Sequence, residues 1–191
     1  MANNTVQDHI EFAGDYDCKH IFLHTHTGEV IDIKNLTDEL NIYESIYKNA
    51  MTGSVVITDA QNLISKLEIQ GMERLSFVIR TPGTTNDRDI VNASETSGHP
   101  FHIYKITNRV QTAPGTLRYV LHFGSREFMR NIRTKVSQAY KGRPDSMVQS
   151  ILKDPEYLDT RKKLKYERCA NSDTIVIPNM RPFDACLFIH I

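Results

Sequence analysis

The residue types best suited to metal or acid–base chemistry are concentrated in one short run, Cys18-Lys-His20-Ile-Phe-Leu-His24-Thr-His26. On a β-strand the even-numbered side chains of this run would point to one side. His24 and His26 could then present two imidazoles to a metal ion, as in hydrolases that carry an HxH pair on their first strand. Such enzymes take further ligands from a larger βα barrel, and the required alternation of strands and helices is absent here. We therefore predict a polar strand face without a metal, and keep a metal-dependent hydrolase using the His24/His26 pair as the alternative.

Other catalytic patterns are missing from the sequence. There is no GxSxG elbow, and Ser125 stands at a position typical of a helix cap rather than of a nucleophile. Neither GxxxxGK[ST] nor GxGxxG occurs, so no phosphate-binding loop is indicated. No pair of carboxylates stands out as an acid–base dyad. The sequence therefore predicts a protein that is not an enzyme and needs no cofactor.

The overall composition fits one soluble globular domain, or one domain with a small appendage. The chain has 191 residues, of which 40% are hydrophobic and 24% charged, and its formal net charge is zero. The charge is unevenly spread, however. Residues 1–70 hold 11 acidic and 4 basic side chains (4 − 11 = −7), and residues 71–191 hold 12 acidic and 19 basic ones (19 − 12 = +7). A chain polarised in this way could stack head to tail with copies of itself, but the preferred interpretation is that the two halves mix in space and their charges cancel.

Cysteine usage and the chain start indicate the compartment. Cys18, Cys169 and Cys186 form no CxxC pair, which favours free thiols in a reducing environment. The first residues, MANNTVQDHIEF, lack the basic and apolar regions of a signal peptide. The apolar runs are too short to span a bilayer. We expect no membrane partner.

Alternating apolar residues predict a mainly antiparallel β structure in the first two thirds of the chain. KHIFLHTHTGEVIDI predicts a hairpin with its turn near Gly28. LTDELNIYESIYKNA fits either a helical stripe (Leu40, Tyr43, Tyr47) or a strand face (Leu40, Ile42, Ile46), and its Ile and Tyr content favours the strand. The next predicted elements are a strand covered on both faces at 53–58, a turn at 59–62, a strand at 72–81, a long loop at 81–98, and a strand pair at 101–110 and 116–123 joined at Pro114-Gly115.

The pattern changes after Gly124. Phe128, Ile132, Val136 and Tyr140 are spaced four apart, which predicts one helix from the Ser125 cap to Gly142 at the C′ position. A second helix is predicted at 145–153, strands at LKYERC and DTIVIP, and the start of a helix at RPFDACLFIHI with Pro182 near its first turn.

Two basic runs follow, at 126–143 and 161–168. Nucleic-acid binding would require aromatic side chains on the same exposed face, and we expect Tyr140 and Tyr166 to pack instead. Solvated faces, or contacts with an acidic surface such as another copy, are therefore the preferred interpretation. A nucleic-acid-binding module using Arg130, Arg133 and Lys135 remains a third hypothesis.

An ordered series of short motifs resembles the N-terminal region of baseplate hub proteins of contractile-tailed bacteriophages. Those chains carry an IYE strand, a G-x-V-x-I-x-D strand, an N-L connector, a G-x-E strand start and a TPG loop. The corresponding segments here are 42–44, 53–59, 62–63, 71–73 and 81–83. The likeness continues in FHIYKITNR, YVLHFGSREFMRN and IVIPNMRPFDAC, and covers most of the chain from about residue 20.

This resemblance implies a fold and a role. The fold would be mainly β (α+β), an antiparallel tail-tube-like barrel or sandwich with two or three helices. The protein would be a structural virion protein of the tail baseplate hub, assembled in the host cytoplasm. Three chains would form a ring of pseudo-sixfold symmetry that joins the tail tube to the central spike, with tail tube, spike and tape-measure proteins as partners. DNA would pass through the lumen without specific binding.

The residue pattern and the resemblance together divide the chain. The polar start predicts a flexible N-terminal segment at 1–16, and the resemblance implies a tube-like β domain at 17–125. The helical spacing predicts a helical hairpin at 126–156, followed by strands and the start of a further helix at 157–191. The family usually continues beyond the PF-x-A segment, so a second tube-like region is expected to follow. From the motifs and from their aromatic or arginine character, we predict Tyr43, Tyr47, Arg74 and Arg130 as interface residues. Exposed strand edges would pair with neighbouring subunits.

Overall fold

The structure is a computed structural model that describes residues 15–67, 69–83 and 90–189. It divides into two compact units. Unit 1 takes its described residues from Met1–Ile42 and Gly53–Phe123, and unit 2 from Tyr43–Thr52 and Gly124–Ile191. The predicted segments 1–16 and 81–98 lie partly outside the described residues.

Unit 1 is built on an eight-stranded sheet. Its path runs β2-β1-β5-β7-β8-β4-β3, with β6 paired to β5 beside that path. The elements are β1 (Asp17–His24), β2 (Val30–Asp32), a 3-10 turn (Lys34–Leu36), β3 (Thr37–Tyr43), β4 (Thr52–Asp59), α1 (Leu63–Lys66), β5 (Arg74–Arg80), β6 (Ile90–Asn92), β7 (Phe101–Ala113) and β8 (Thr116–Gly124). Among the described residues the path is open, and β2 and β3 are its two ends. The predicted mainly antiparallel β class is confirmed.

The predicted hairpins are present in unit 1. β1 and β2 pair antiparallel with Leu23 opposite Ile31, and Gly28 has φ 92° in the turn between them. β7 and β8 are neighbours joined by Pro114-Gly115, a connection that only antiparallel strands can use. Strand alternation therefore sufficed to place both turns.

An aromatic cluster occupies the core of unit 1. The rings of Phe77, Phe101 and Phe123 lie 4.9 to 6.1 Å apart, centroid to centroid. β4 is covered on both faces, as predicted: residues 53–57 are all buried. The same strand leads into α1 through Asp59, whose carboxylate accepts hydrogen bonds from the backbone N–H of Gln61 (2.8 Å) and Leu63 (2.6 Å). The predicted turn at 59–62 is thereby confirmed.

The loop predicted at 81–98 is wrong in part, because it contains a strand. β6 pairs antiparallel with β5, and Val91 lies opposite Ile79. Ile90 and Val91 are only two apolar residues among polar neighbours, and an apolar run this short does not predict a strand. The strand forms because its backbone pairs with β5, a long-range contact that local sequence does not show.

Unit 2 combines a two-stranded ribbon with three helices. The helices are α2 (Arg126–Arg133), α3 (Pro144–Lys153) and α4 (Pro182–Ile189), and the antiparallel strands are β9 (Val136–Gly142) and β10 (Asp173–Met180). The buried core consists of Val136, Met147, Ile151, Ile177, Ala185, Cys186 and Ile189. The predictions of α3, of the DTIVIP strand and of a helix starting at Pro182 are confirmed.

The single helix predicted from Ser125 to Gly142 is wrong, so the 126–156 segment contains a strand between its two helices. α2 ends at Arg133, Thr134 is extended, and Val136 and Tyr140 lie on β9. A spacing of four is an even number, so it satisfies the period of a strand as well as that of a helix. Pairing with β10, where Tyr140 lies opposite Ile175, decides for the strand. Gly142 accordingly ends β9, and Pro144 begins α3.

The strand predicted at LKYERC is also wrong. Residues 163–169 have no regular secondary structure, and most of their side chains are exposed. A strand requires a neighbouring strand with free backbone groups, and none of the described strands pairs with this segment.

Candidate functional site

The histidine-rich strand is divided between two faces by an irregularity in β1. The register of β1 against β5 shifts between Cys18 and Ile21. Cys18 is consequently buried with Ile21 and Leu23. His20 instead stacks on Phe22, with ring centroids 5.0 Å apart. The prediction that all even-numbered residues of this run share one face is therefore wrong at Cys18.

Each histidine of the run has its own polar neighbour. The Nδ1 atom of His20 lies 2.6 Å from the carboxylate of Asp32, and Nε2 of His24 lies 2.6 Å from the hydroxyl of Ser76. Nδ1 of His26 lies 4.0 Å from the buried carboxylate of Glu73. Among the described residues, no three His, Cys, Asp or Glu side chains are grouped to hold a metal ion. The geometry of this strand gives the hydrolase alternative no support.

A small charged cluster surrounds His24 in unit 1. Arg74, one of the predicted interface residues, places Nε 3.0 Å from Oε1 of Glu95, and Nδ1 of His24 lies 4.0 Å from the same oxygen. Burial lowers the pKa of His24, Glu95 opposes this effect, and the Arg74 charge adds to it. Arg74 is thus paired within its own chain, and its predicted role at an interface stays a prediction.

The most exposed apolar side chains belong to the turn between β3 and β4. Ile46 and Tyr47 are each 91% exposed, and Tyr43 is 52% exposed. Two backbone N–H groups fix the turn, since Tyr47 N donates to the Ser45 hydroxyl (3.2 Å) and Lys48 N to the Ser45 carbonyl (3.1 Å). We call residues 43–47 the apolar tip. Large exposed side chains held by a tight turn are typical of a contact surface.

Tyr43 and Tyr47 were predicted from the sequence as interface residues, whereas Ile46 was not. The sequence signal for Ile46 is an isoleucine between polar residues, and the Ile and Tyr content of this segment predicts a strand there instead of an exposed turn. The interface role of all three residues stays a prediction.

A groove runs along the edge strand β3. Its volume is about 490 Å³, and residues 37–41 of β3 line it. Cys18 and Ile21 of β1 and Ile79 of β5 also line this groove. β2 pairs only with residues 22–24 of β1, so both β3 and the first half of β1 lack a strand partner on this side among the described residues. Such unpaired edges can accept an added strand.

The first basic run binds segments of its own unit. Arg126 pairs with the carboxylate of Asp159 and donates to the Asp159 carbonyl at 2.9 Å. Arg130, a predicted interface residue, donates from Nε to the Tyr157 carbonyl at 2.6 Å and from its guanidinium to the Pro155 carbonyl. The charge of α2 is therefore largely used to fix residues 155–159. The nucleic-acid hypothesis built on Arg130 loses its central residue.

The second basic run is different, because its ends are fixed while its middle is exposed. We call residues 161–168 the basic loop. At its start, the Thr160 hydroxyl donates to the buried carboxylate of Glu127 (2.7 Å), and Lys162 lies 3.2 Å from the same carboxylate. At its end, the backbone N–H of Cys169 donates to the buried Asp145 (3.2 Å). Two buried carboxylates thus hold the loop in place.

The length and hydropathy of the helices decide whether any of them could span a membrane. No helix within the described ranges has both the length and the apolar character of a membrane-spanning segment.

Comparison with known proteins identifies the fold. No protein-family model matches this sequence, and no curated protein matches it either. Among solved structures, the chain is similar to the crystal structure of the tail protein from Neisseria meningitidis MC58, with a TM-score of 0.54 and 12% identity. The similarity covers 91% of this chain and 44% of that one.

The similarity establishes a shared fold. At this identity it does not by itself transfer a function, and the chain spans less than half the length of the tail protein that it matches.

Proposed function

We propose that this protein is a structural component of a bacteriophage virion, located in the tail. The observation that carries the proposal is the fold shared with the Neisseria meningitidis tail protein over 91% of the chain. The ordered hub-like motifs in the sequence support the same role independently of the fold. Within the tail, we place the protein at the baseplate hub, as a ring that joins the tail tube to the central spike.

The free strand edge supports a role in assembly. β3 ends the described sheet path and borders the 490 Å³ groove, so an extended segment of another subunit has both a backbone edge and a channel to occupy. Exposed edges are an aggregation hazard in proteins that work alone. An edge of this kind is consistent with a subunit whose partners cover it.

The finer assignments follow from the hub role. The assembled form would be a trimer with pseudo-sixfold symmetry, contacting tail tube, spike and tape-measure proteins. It would enclose a lumen for DNA. The role would be mechanical, without enzymatic activity or a cofactor. These points rest on the resemblance of the motifs to hub proteins.

The apolar tip gives the proposal a direct test. We expect the purified protein to form closed rings, either alone or with a tail tube protein, as seen by mass photometry and negative-stain microscopy. Replacing Ile46 and Tyr47 together by Ser should weaken ring formation, because large exposed apolar side chains are typical contact anchors. The unfolding midpoint should stay unchanged because the tip lies in solvent.

Met72→Ser is a matched control, since Met72 is exposed to 68% and lies in unit 1, away from the tip in the sequence. It should leave the rings intact. A protein that stays monomeric at every concentration, with and without tail tube protein, would contradict the proposal.

A further inference from the structure

We propose that the basic loop, residues 161–168, binds the phosphate backbone of nucleic acid without sequence preference. This inference goes beyond the structural role proposed above and does not depend on ring formation.

The first observation is that the charges of the basic loop are available. Arg161, Lys163, Lys165 and Arg168 are exposed, and none of the four has an ion pair or hydrogen bond with the described part of the chain. Lys162 differs, because it is paired with Glu127. The only acidic residue within the loop is Glu167. Four exposed cations within eight residues concentrate positive charge in this segment of the chain.

The second observation is that the loop is presented by fixed ends. Nζ of Lys153 donates to the backbone carbonyls of Thr160 (3.0 Å) and Lys162 (2.7 Å), and the backbone N–H of Lys162 lies 3.3 Å from the Thr160 hydroxyl. The bond from Cys169 to Asp145 fixes the other end. These contacts reduce the ordering cost that a free tail would incur on binding.

The third observation is an exposed aromatic ring among the cations. Tyr166 is 59% exposed, so the prediction that it packs is wrong. Its ring lies in the sequence between Lys165 and Arg168. Surfaces that bind single strands combine cations that contact the backbone with aromatic rings on which bases stack.

The composition of the loop favours nucleic acid over an acidic protein. Lysine is depleted at protein–protein interfaces, whereas lysine and arginine supply most contacts to phosphate. Three of the five cations are lysines. Residues 163–169 have no regular secondary structure, so no helix or strand presents these side chains to the base edges in a groove, and their contacts are expected with phosphate. We therefore expect charge-dependent binding without specificity.

The experiment is a salt-dependent titration of the full chain with a labelled duplex of about 30 base pairs and with one of its strands. We expect weak binding that decreases about 10²-fold between roughly 50 and 200 mM salt, as four phosphate contacts would give. The binding affinity of the double variant K163Q/K165Q should decrease only about tenfold over the same salt range, because two phosphate contacts are removed. The control K135Q/K141Q removes the same charge from exposed lysines of unit 2 outside the loop, and should behave as the unmodified chain.

Substitutions of Tyr166 test base stacking without changing the charge of the basic loop. Tyr166→Ala should weaken binding of the single strand about tenfold, whereas Tyr166→Phe should retain it. Unchanged binding of the single strand by Tyr166→Ala would show that the ring does not stack, and equal losses in both variants would assign the contribution to the hydroxyl; either result would remove the aromatic part of the proposal.

Three results would overturn the proposal. A flat titration at about 20 mM salt would exclude phosphate binding, because such contacts are strongest there. Equal losses in the two lysine pairs would assign binding to the general charge of unit 2 rather than to the loop. Competition by polyglutamate as strong as that by nucleic acid would indicate an acidic protein partner. Mass photometry of the same variants reports ring formation separately, so the two proposals fail independently.

Discussion

At the scale of single residues, Gly53 lies where β4 leaves no space for a side chain. A Cβ atom there would lie 2.3 Å from the backbone oxygen of Asn41 and 2.3 Å from Cζ of Phe123. A backbone oxygen within a sheet cannot turn away as a flexible side chain can. We therefore predict that Gly53→Ala lowers the free energy of unfolding by about 3 kcal/mol, measured by urea denaturation.

Gly28→Ala is the control for this prediction. Gly28 has φ 92° and no atom within 4 Å of its added Cβ, so only backbone strain applies. That strain should cost about 1 to 2 kcal/mol. If both variants lost the same stability, the steric overlap at Gly53 would be relieved in the folded sheet.

Arg130 provides a second test at this scale. Its guanidinium is a hydrogen-bond donor to the carbonyls of Tyr157 and Pro155. Arg130→Ala should lower the free energy of unfolding by about 2 kcal/mol, because those carbonyls lose a charged donor. Arg133→Ala, an exposed change on the same helix, should stay within about 0.5 kcal/mol. If Arg130 acted only at an interface, its loss would impair assembly and leave the urea midpoint unchanged.

At the scale of elements, the start of the basic loop depends on an ionised carboxylate. Burial raises the pKa of Glu127, but the Thr160 hydrogen bond and the Lys162 charge outweigh burial, and the pKa lies below its ordinary value of 4.5. The unfolded chain therefore binds the proton more readily than the folded one. Glu127 stabilises the fold above about pH 4.5, and this contribution is lost as the pH falls through the lower folded pKa.

The corresponding measurement is urea denaturation of the unmodified chain and of Glu127→Gln from about pH 6 to pH 3. We expect the stability difference between them to be largest at the upper end and to shrink toward the lower end. Glu156→Gln, which removes an exposed carboxylate of unit 2, is the control, and it should change the free energy of unfolding by no more than about 0.5 kcal/mol. A difference that stayed constant with pH would mean that the charge of Glu127 is not what stabilises the loop.

Helices and strands were predictable from the sequence where the spacing of the apolar residues fitted only one of the two structures. The alternation in β5 and β8, the turn at Pro114-Gly115 and the cap Ser125 were all read correctly. Val136 and Tyr140 were misassigned because their spacing fits both periods, and only pairing with β10 decides between them. The LKYERC strand is wrong for the complementary reason: its composition favours a strand, but none of the described strands pairs with it.

The candidate surfaces were less predictable than the fold. The local sequence around an aromatic residue between cations is the same whether the ring is packed or exposed. The exposure of Tyr166 was therefore not predictable from the sequence. The two basic runs also look alike in the sequence. Only long-range contacts show that Arg130 binds backbone carbonyls, whereas Lys163 and Lys165 have no ion pair or hydrogen bond with the residues that the structure describes.

At the scale of the whole molecule, strand addition at β3 makes a prediction about assembly. Adjacent residues of a strand direct their N–H groups to opposite edges, so one of Glu39 and Leu40 points its N–H away from β4. Proline is tolerated at an outward N–H of an edge strand but blocks pairing there. Of Glu39→Pro and Leu40→Pro, one should therefore keep the unfolding midpoint and lose ring formation, as measured by mass photometry. If both variants kept stable rings, β3 would not be the edge that neighbouring subunits use.

Unit 2 is assembled from two separate stretches of the chain, residues 43–52 and 124–191. Within it, the backbone N–H of Ser125 donates to the carbonyl of Met51 at 3.0 Å. An expression fragment that starts at Gly124 would therefore lack a native partner for its first helix. Recombination between related genes meets the same obstacle: a crossover between codons 52 and 124 would bring the two stretches from different parents, so exchanges that keep this unit intact must also exchange the short early stretch.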